Sequence, residues 1–342
     1  MSDCCDGVTG EGLLSGLEPQ LNTSAAGARI GAGRKALFAV NPKARQGDGC
    51  ARAVRAILEA GGLSLIDLDL SDGESFSDVI RRRAGECDLI VLGGGDGTLN
   101  GAVRGLYDTG LPLGVIPLGT ANDFARTVGI PADPEAAARL IVDGQPRLVD
   151  VGEVNGHLFL NVASIGFSAD LARELTGAAK KKWGKLGYAI TAARILAQSR
   201  LFTAYIEHDG TIETVRTLQA SVGNGRHYGG GMTVAQDATA DDGTLDFYSL
   251  EVDHWWKLLL LLPSLREGTQ GRWSEVRTFR TTDVVINTRK PRAVNTDGEL
   301  TTWTPATFRI HPAALRVYAP ATPPAPVPSS RRFAPRTPKP PR

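Results

Sequence analysis

The stretch that most restricts this chain is residues 88–106, where a buried-strand pattern runs through consecutive glycines straight into an amphipathic helix. Asp88-Leu89-Ile90-Val91-Leu92 is almost continuously apolar, the pattern of a strand covered on both faces. Leu99, Ala102, Val103 and Leu106 then recur at i, i+3, i+4 and i+7, one apolar stripe of a helix. Between them stands Gly93-Gly94-Gly95-Asp96-Gly97-Thr98. A strand that turns through glycines into a helix start presents unpaired backbone N–H groups and the positive end of the helix dipole, a ready site for phosphate. Glycine lets the main chain approach that phosphate closely. A glycine-rich turn with no ligand would read the same, up to Asp96. A carboxylate inside a phosphate loop repels its ligand unless it handles a metal, a water or a hydroxyl. The loop is neither a Walker A sequence nor the spaced G-x-G-x-x-G of dinucleotide binders.

The flanking sequence places this loop in a parallel sheet. Residues 36–40 read as a strand, followed by the polar loop NPKARQG at 41–47. A helix over about 50–60 carries Val54, Ile57 and Leu58 inward and stops at Gly61-Gly62. A strand over 63–70, a short helix over 76–83 and a strand over 113–116 complete the pattern. Strands alternating with helices give right-handed βαβ units and a doubly wound sheet, whose ligands bind beyond the carboxyl ends of the strands. The loop after residue 116, PLGTANDFAR at 117–126, lies at that end. Thr120 offers a hydroxyl to phosphate there. Asn122 and Asp123 are read either as helix caps or as ligand-facing groups. Asp133-Pro134-Glu135 opens a further helix that ends at Asp143-Gly144.

From about Arg147 the texture changes. Residues 148–151, 157–163, 202–208, 214–222, 244–250, 284–287 and 308–310 read as strands separated by turn residues, with helices over 183–197 and 255–265. The expected fold class is therefore α/β plus β: an N-terminal doubly wound parallel-sheet domain and a C-terminal, mainly antiparallel β-sandwich domain. The 342 residues suffice for two domains. They divide as a disordered tail (1–34), a nucleotide-binding domain (35–147), a β-rich substrate domain (148–312) and a Pro/Arg-rich disordered tail (320–342). Net charge of +1 argues against bulk electrostatic binding of nucleic acid. Cys4, Cys5, Cys50 and Cys87 lack metal-ligand spacing, which favours a reduced, cytoplasmic setting. No signal peptide is read at the start, and the apolar run 258–262 is too short to span a bilayer.

Carboxylates recur beyond Asp96: Asp123, Asp150, Asp241-Asp242-Gly243, and Asp297 with Glu299. Taken singly each is most simply a turn, because Asp-Gly suits turn geometry. Together with a phosphate loop they match the needs of phosphoryl transfer, which are a metal on the phosphates, carboxylates around it and a base at the acceptor hydroxyl.

GGGDGTLN at 93–100, NPKARQG at 41–47, PLGTANDFAR at 117–126, DDGTLD at 241–246 and TDGE at 296–299 occur in the order found in the diacylglycerol kinase catalytic-domain family. The chain resembles its soluble bacterial lipid kinases most, with sphingosine and ceramide kinases as relatives, over roughly residues 36–318. The resemblance implies an ATP- and Mg2+-dependent kinase acting on a primary hydroxyl of a membrane lipid, diacylglycerol-like or a ceramide or sphingoid base. It assigns ATP binding to Asn41, Gly94, Gly95, Asp96, Gly97, Thr98, Leu99, Asn100 and Thr120, with Ser71 placed by spacing alone. Asp96, Asp123 and Asp150 match aspartates of an Asp–water–Mg2+ network at the nucleotide. Glu299 matches the general base of the bacterial members, with Asp297 beside it, whereas sphingosine kinases give that role to the residue matching Asp96. Asp242, with the carbonyls of Thr239 and Thr244, matches a structural Mg2+ site. The final strand, about 313–319, would return to the first domain. NAD kinases share the GGDGT loop, so an NAD kinase is the first rival reading and a nucleotide-binding regulator without turnover the second.

A lipid acceptor implies transient peripheral contact with a membrane surface, with no transmembrane segment and no nucleic acid. Lys180-Lys181-Lys182-Trp183-Gly184-Lys185 and residues 255–265 are candidate docking stretches, against the plainer readings of a solvated face and a packed core. A homodimer is compatible with the sequence, which does not fix the oligomeric state.

Overall fold

The computed structural model describes residues 33–40, 47–68, 74–174, 194–195, 199–228, 232–233, 238–252 and 273–321, with residues 257, 261, 263, 264, 267 and 269 between them. Asn41, Ser71, the basic stretch 180–185, most of the helices expected at 183–197 and 255–265, and both tails lie outside the described residues.

The first half alternates strand and helix: β1 (Arg34–Val40), α1 (Gly47–Ala60), β2 (Leu63–Asp67), α2 (Phe76–Arg83), β3 (Leu89–Gly94), α3 (Asp96–Thr109), β4 (Leu113–Pro117), α4 (Asp123–Val128) and α5 (Pro134–Asp143). The strands pair in parallel in the order β2-β1-β3-β4. The step from β1 to β2 runs one way across the sheet and the steps from β2 to β3 and β3 to β4 run the other. Right-handed crossovers then put α1 on one face and α2 with α3 on the opposite face. The packing agrees, with α1 against α5 and α2 against α3. β3 is buried along its whole length, as its apolar run requires. Asp133 caps α5 by accepting the Ala136 N–H at 2.9 Å. The sheet order reverses between β1 and β3, so the loops leaving these strands diverge and leave a crevice there.

The second half supplies β5 (Pro146–Val154), β6 (His157–Phe159), β7 (Val162–Gly166), α6 (Phe167–Glu174), β8 (Phe202–His208), β9 (Thr211–Thr217), β10 (Gln219–Gly223), β11 (His227–Tyr228), β12 (Met232–Thr233), β13 (Leu245–Leu250), β14 (Val276–Thr281), β15 (Asp283–Thr288), β16 (Ala293–Thr296), β17 (Glu299–Trp303) and β18 (Ala306–Tyr318). An antiparallel sheet runs β14-β13-β10-β7-β16-β17. It faces β15, β8, β9 and the first part of β18 across a core that includes Phe159, Ile165, Ile206, Phe247, Val294 and Phe308. This is the expected sandwich.

Three strands differ from their sequence patterns. The run 214–222 breaks at Leu218 into β9, which pairs with β8, and β10, which crosses to the other sheet and pairs with β7 and β13. The run 157–163 breaks at Leu160-Asn161 into β6 and β7, because those residues turn around a carboxylate brought from elsewhere. The separate strands expected near 308–310 and 315–318 are one long strand with a bulge. Ala313, at φ 53°, kinks β18 so that its first part pairs with β15 and Val317 pairs with Leu113 of β4. One strand thus stitches the two cores together. Helix α6 has only eight residues and carried no readable period.

Candidate active site

The two glycine-bearing loops beyond β3 and β4 press directly on each other. The Leu118 N–H donates to the Gly94 carbonyl at 2.9 Å, and a Cβ on Gly119 would stand 2.5 Å from Gly95 Cα. No side chain fits between them, so glycine is required at both positions. Gly94 is required for another reason: the Thr98 side chain fills the space its Cβ would take, with Oγ1 2.4 Å away. Thr98 and Leu99 are buried. Their N–H groups both donate to the Gly95 carbonyl, at 2.9 and 3.2 Å, while Gly97 and Thr120 are exposed.

Asp96 opens α3, and its Oδ1 accepts the Phe124 N–H at 3.0 Å. The carboxylate of one loop thus caps the helix that follows the other. Asn122 occupies the cap position of α4 in a left-handed conformation, φ 51°, yet makes no side-chain cap bond. Its Oδ1 accepts the Gly119 N–H at 2.9 Å and its Nδ2 donates to the Gly119 carbonyl at 3.1 Å, closing the loop on itself. Asp123 is buried, with Oδ1 3.7 Å from Arg126 Nη1.

From the second core, the β16–β17 hairpin turns through Asp297 and Gly298, both at positive φ (49° and 100°), which suits a two-residue turn. The Asp297 carboxylate leaves the turn and accepts three main-chain N–H bonds, from Leu160 (2.7 Å), Asn161 (3.0 Å) and Val162 (3.0 Å). Burial pushes its carboxyl up to about 6 against the pull of those donors, and the charge of Asp96 raises it further. Helix α3, which Asp96 opens, packs against β6, whose exit turn Asp297 holds. Glu299, beyond the turn, is exposed at the head of β17 opposite Thr296.

Asp150 and Asp242 belong to a neighbouring cluster. Asp150 is buried, and its oxygens accept the N–H groups of Gly243 and Ala313, each at 2.7 Å. Burial raises its carboxyl, these two bonds lower it, and Asp242 and Asp241 raise it again. Asp241 pairs with Arg147 at 2.7 Å. Asp242 Oδ1 accepts both the N–H (3.0 Å) and the hydroxyl (2.7 Å) of Thr244, a closed surface turn. Among the described residues no three His, Cys, Asp or Glu side chains are grouped to hold a metal. A carboxylate from Asp242 with the carbonyls of Thr239 and Thr244 is an all-oxygen set, chemically suited to Mg2+ completed by water.

The sequence reading missed the residues that join these parts. Asn224 Nδ2 donates to the carbonyls of Asp150 (2.9 Å) and Leu160 (3.1 Å), and its N–H donates to the Asn161 carbonyl (2.9 Å). It holds β5 to the turn that carries Asp297. Next to it, a Cβ on Gly225 would stand 2.9 Å from Thr127 Cγ2, and the His227 N–H donates to Thr127 Oγ1 at 3.1 Å. Burial lowers the His227 ring to about 4, with Arg126 and Arg226 adding to the shift. The only signal in the sequence was the glycine pair of Gly223-Asn224-Gly225, which asks for close backbone contact without naming its partner.

Comparison with known proteins places this geometry. Residues 35–154 match the diacylglycerol kinase catalytic domain, and residues 161–319 match the YegS C-terminal NAD kinase beta sandwich-like domain. A protein of Pseudomonas aeruginosa named "Probable lipid kinase YegS-like" is 33% identical over 296 residues, covering 84% of this chain and 95% of that protein. A "Diacylglycerol kinase" of Mycobacterium tuberculosis is 35% identical over 240 residues, covering 68% of this chain and 77% of its own length. A crystal structure titled as a diacylglycerol kinase from Bacillus anthracis superposes with a TM-score of 0.66 at 25% identity, covering 84% of this chain and 97% of that one.

Proposed function

Because the chain belongs to the diacylglycerol kinase family and is therefore a lipid kinase, we propose that it transfers the γ-phosphoryl group of ATP, with Mg2+, to a primary hydroxyl of a membrane lipid of the diacylglycerol or ceramide type. The observation that carries this reading is the meeting of two glycine loops, locked at Gly95 and Gly119, with α3 packed on β6, whose exit turn is held by the Asp297 hairpin of the other core. The loops offer main-chain N–H groups to phosphate oxygens, and Thr120 adds a hydroxyl. Asp96 and Asp123 are the residues we assign to hold Mg2+ and its waters at the nucleotide. Asp150, with both oxygens accepting main-chain N–H groups, positions Gly243 and Ala313, and Asp242 with Thr239 and Thr244 is assigned to hold a structural Mg2+. Magnesium supplies charge neutralisation on the transferring phosphoryl group.

Among the three candidate bases the geometry favours Glu299. Both oxygens of Asp297 are engaged by main-chain donors, so its role is to position the turn. Asp96 Oδ1 is engaged by Phe124. Glu299 is exposed on the same turn and is free to reach a hydroxyl arriving from the sandwich. In the step, the lipid oxygen attacks the γ-phosphorus, its proton passes to Glu299, and ADP leaves in line. No helix among the described residues is long and apolar enough to cross a membrane. The proposed setting is cytoplasmic, with transient contact at the membrane.

The test is radiolabelled ATP with the purified chain, Mg2+ and mixed micelles of candidate lipids, with NAD in a parallel tube. Label in a lipid, lost in Glu299→Gln, is the expected result. Label in NADP, or turnover unchanged in Glu299→Gln, would overturn the acceptor or the base respectively.

A further inference from the structure

Among the described residues five large apolar side chains are exposed, and two of them, Leu300 (39%) and Trp303 (55%), stand on β17. Residues three apart on a strand ordinarily point to opposite faces. Here the register shifts: Leu300 lies opposite Asn295 and Trp303 opposite Ala293, so β17 carries one extra residue and both side chains emerge on one face. β17 is also the last strand of its sheet. Helix α6 borders this face, with Asn295 Nδ2 donating to the Ser168 carbonyl at 3.4 Å and the Arg173 guanidinium 5.7 Å from the Trp303 ring.

The neighbouring turn is basic. The Thr304 N–H donates to the Arg292 carbonyl at 2.9 Å, which holds Arg289-Lys290-Pro291-Arg292 beside Trp303. Arg289 and Lys290 are exposed, and neither makes an ion pair among the described residues. Arg292 lies over the Phe202 ring at 4.0 Å. The acids bordering the face are Asp170, 3.9 Å from Arg173, Glu174, and Glu299 at the far end of β17.

We propose that this face docks the kinase on an anionic lipid bilayer, with Trp303 and Leu300 entering the interfacial layer and Arg173, Arg289 and Lys290 facing headgroup phosphates. An exposed tryptophan flanked by Arg289 and Lys290, which make no ion pair among the described residues, is the chemistry that an anionic membrane surface recognises. The inference rests on the lipid-kinase reading and extends it. Glu299 and Trp303 are the two ends of one strand, opposite Thr296 and Ala293, and so about 10 Å apart at the usual rise. A docked bilayer thus presents its headgroups within one strand length of the proposed base.

The test sediments the full chain with phosphatidylcholine vesicles, with and without phosphatidylglycerol, and compares Trp303→Gln and the double variant Arg289→Gln/Lys290→Gln. Each basic residue near an anionic surface contributes roughly a five-fold change in binding, so the double variant should bind about 25-fold more weakly. Trp303→Gln should weaken binding to both vesicle types. Phosphorylation of a short-chain diacylglycerol dispersed below its micellar concentration should be unchanged in both variants, which also reports that they fold. Variants that sediment like the parent, a parent that ignores anionic vesicles, or a dimer that the substitutions split without altering vesicle binding would overturn the docking surface. A parent that labels no lipid in either form would instead overturn the acceptor reading, while the sedimentation arm still judges the surface.

Discussion

Asp96-Gly97 and Asp297-Gly298 are the same dipeptide put to opposite uses. Asp96 sits in helical backbone at the start of α3 and lends one oxygen to the Phe124 N–H. Asp297 sits in left-handed backbone, and both its oxygens are consumed by three N–H donors of the Leu160–Val162 turn. A third copy, Asp242-Gly243, folds back on its own neighbour Thr244. The dipeptide permits a turn in each place, but what the carboxylate does is set by the segment brought against it. Asp96 lends one oxygen to a main-chain donor, whereas both oxygens of Asp297 are engaged by main-chain donors.

The largest expected effect sharpens that contrast. Asp96→Asn keeps an oxygen for Phe124, and Asn caps as well as Asp, so the thermal midpoint should hold while turnover falls about 10- to 100-fold through weaker hold on Mg2+. A loss of stability with intact specific activity would reverse the two roles. Next comes Gly119→Ala, whose Cβ would meet Gly95 Cα at 2.5 Å and Asn122 Oδ1 at 2.6 Å. Backbone cannot yield as a side chain does, so denaturant unfolding should show a cost of about 1–3 kcal/mol together with weaker ATP binding. Gly97→Ala meets nothing within 4 Å and serves as the control for the unfolding measurement alone.

Asp297→Asn should behave as the mirror image of Asp96→Asn. One of the three N–H donors then faces an amide NH₂, a loss of about 1–3 kcal/mol measurable by urea unfolding. Its effect on turnover should follow only from the displaced turn. The pH dependence separates the sites further. Asp297, raised to about 6, binds its proton more tightly folded than unfolded, so its contribution to stability falls as pH rises from about 4 to 6. His227, lowered to about 4, resists protonation when folded, so its contribution rises with pH from about 4 to 6.5. The two oppose each other in one window. His227→Gln should therefore leave a stability that declines with pH relative to the parent across that window, and parallel curves would show that the ring is not held neutral by burial. The smallest effect is expected at the surface: Asp242→Asn should cost about 0.5–1 kcal/mol and abolish any rise of the thermal midpoint with added Mg2+.

Much of the fold was legible locally. The continuous apolar run of β3, the stripe on α3 and the Asp133-Pro134 start of α5 each encode their element through neighbours a few residues away. The loops we propose to bear the chemistry were legible too, because glycines and aspartates at strand ends are local features. The sequence did not reveal that Asp96 caps α4, that Asp297 organises residues 160–162, or that Asn224 ties β5 to that turn. Nor did it show that a bulge in β17 puts Leu300 and Trp303 on one face. Those partners lie between 28 and 137 residues apart in the chain. The sequence by itself determined the strands and helices of the first half and the acidic turns, since periodicity and turn preference act over a few residues; β14, β16, β17 and α6 carried no such signal. Only the tertiary structure decided which N–H groups each carboxylate meets, because that depends on how β18 and the β16–β17 hairpin bring the second core against the first.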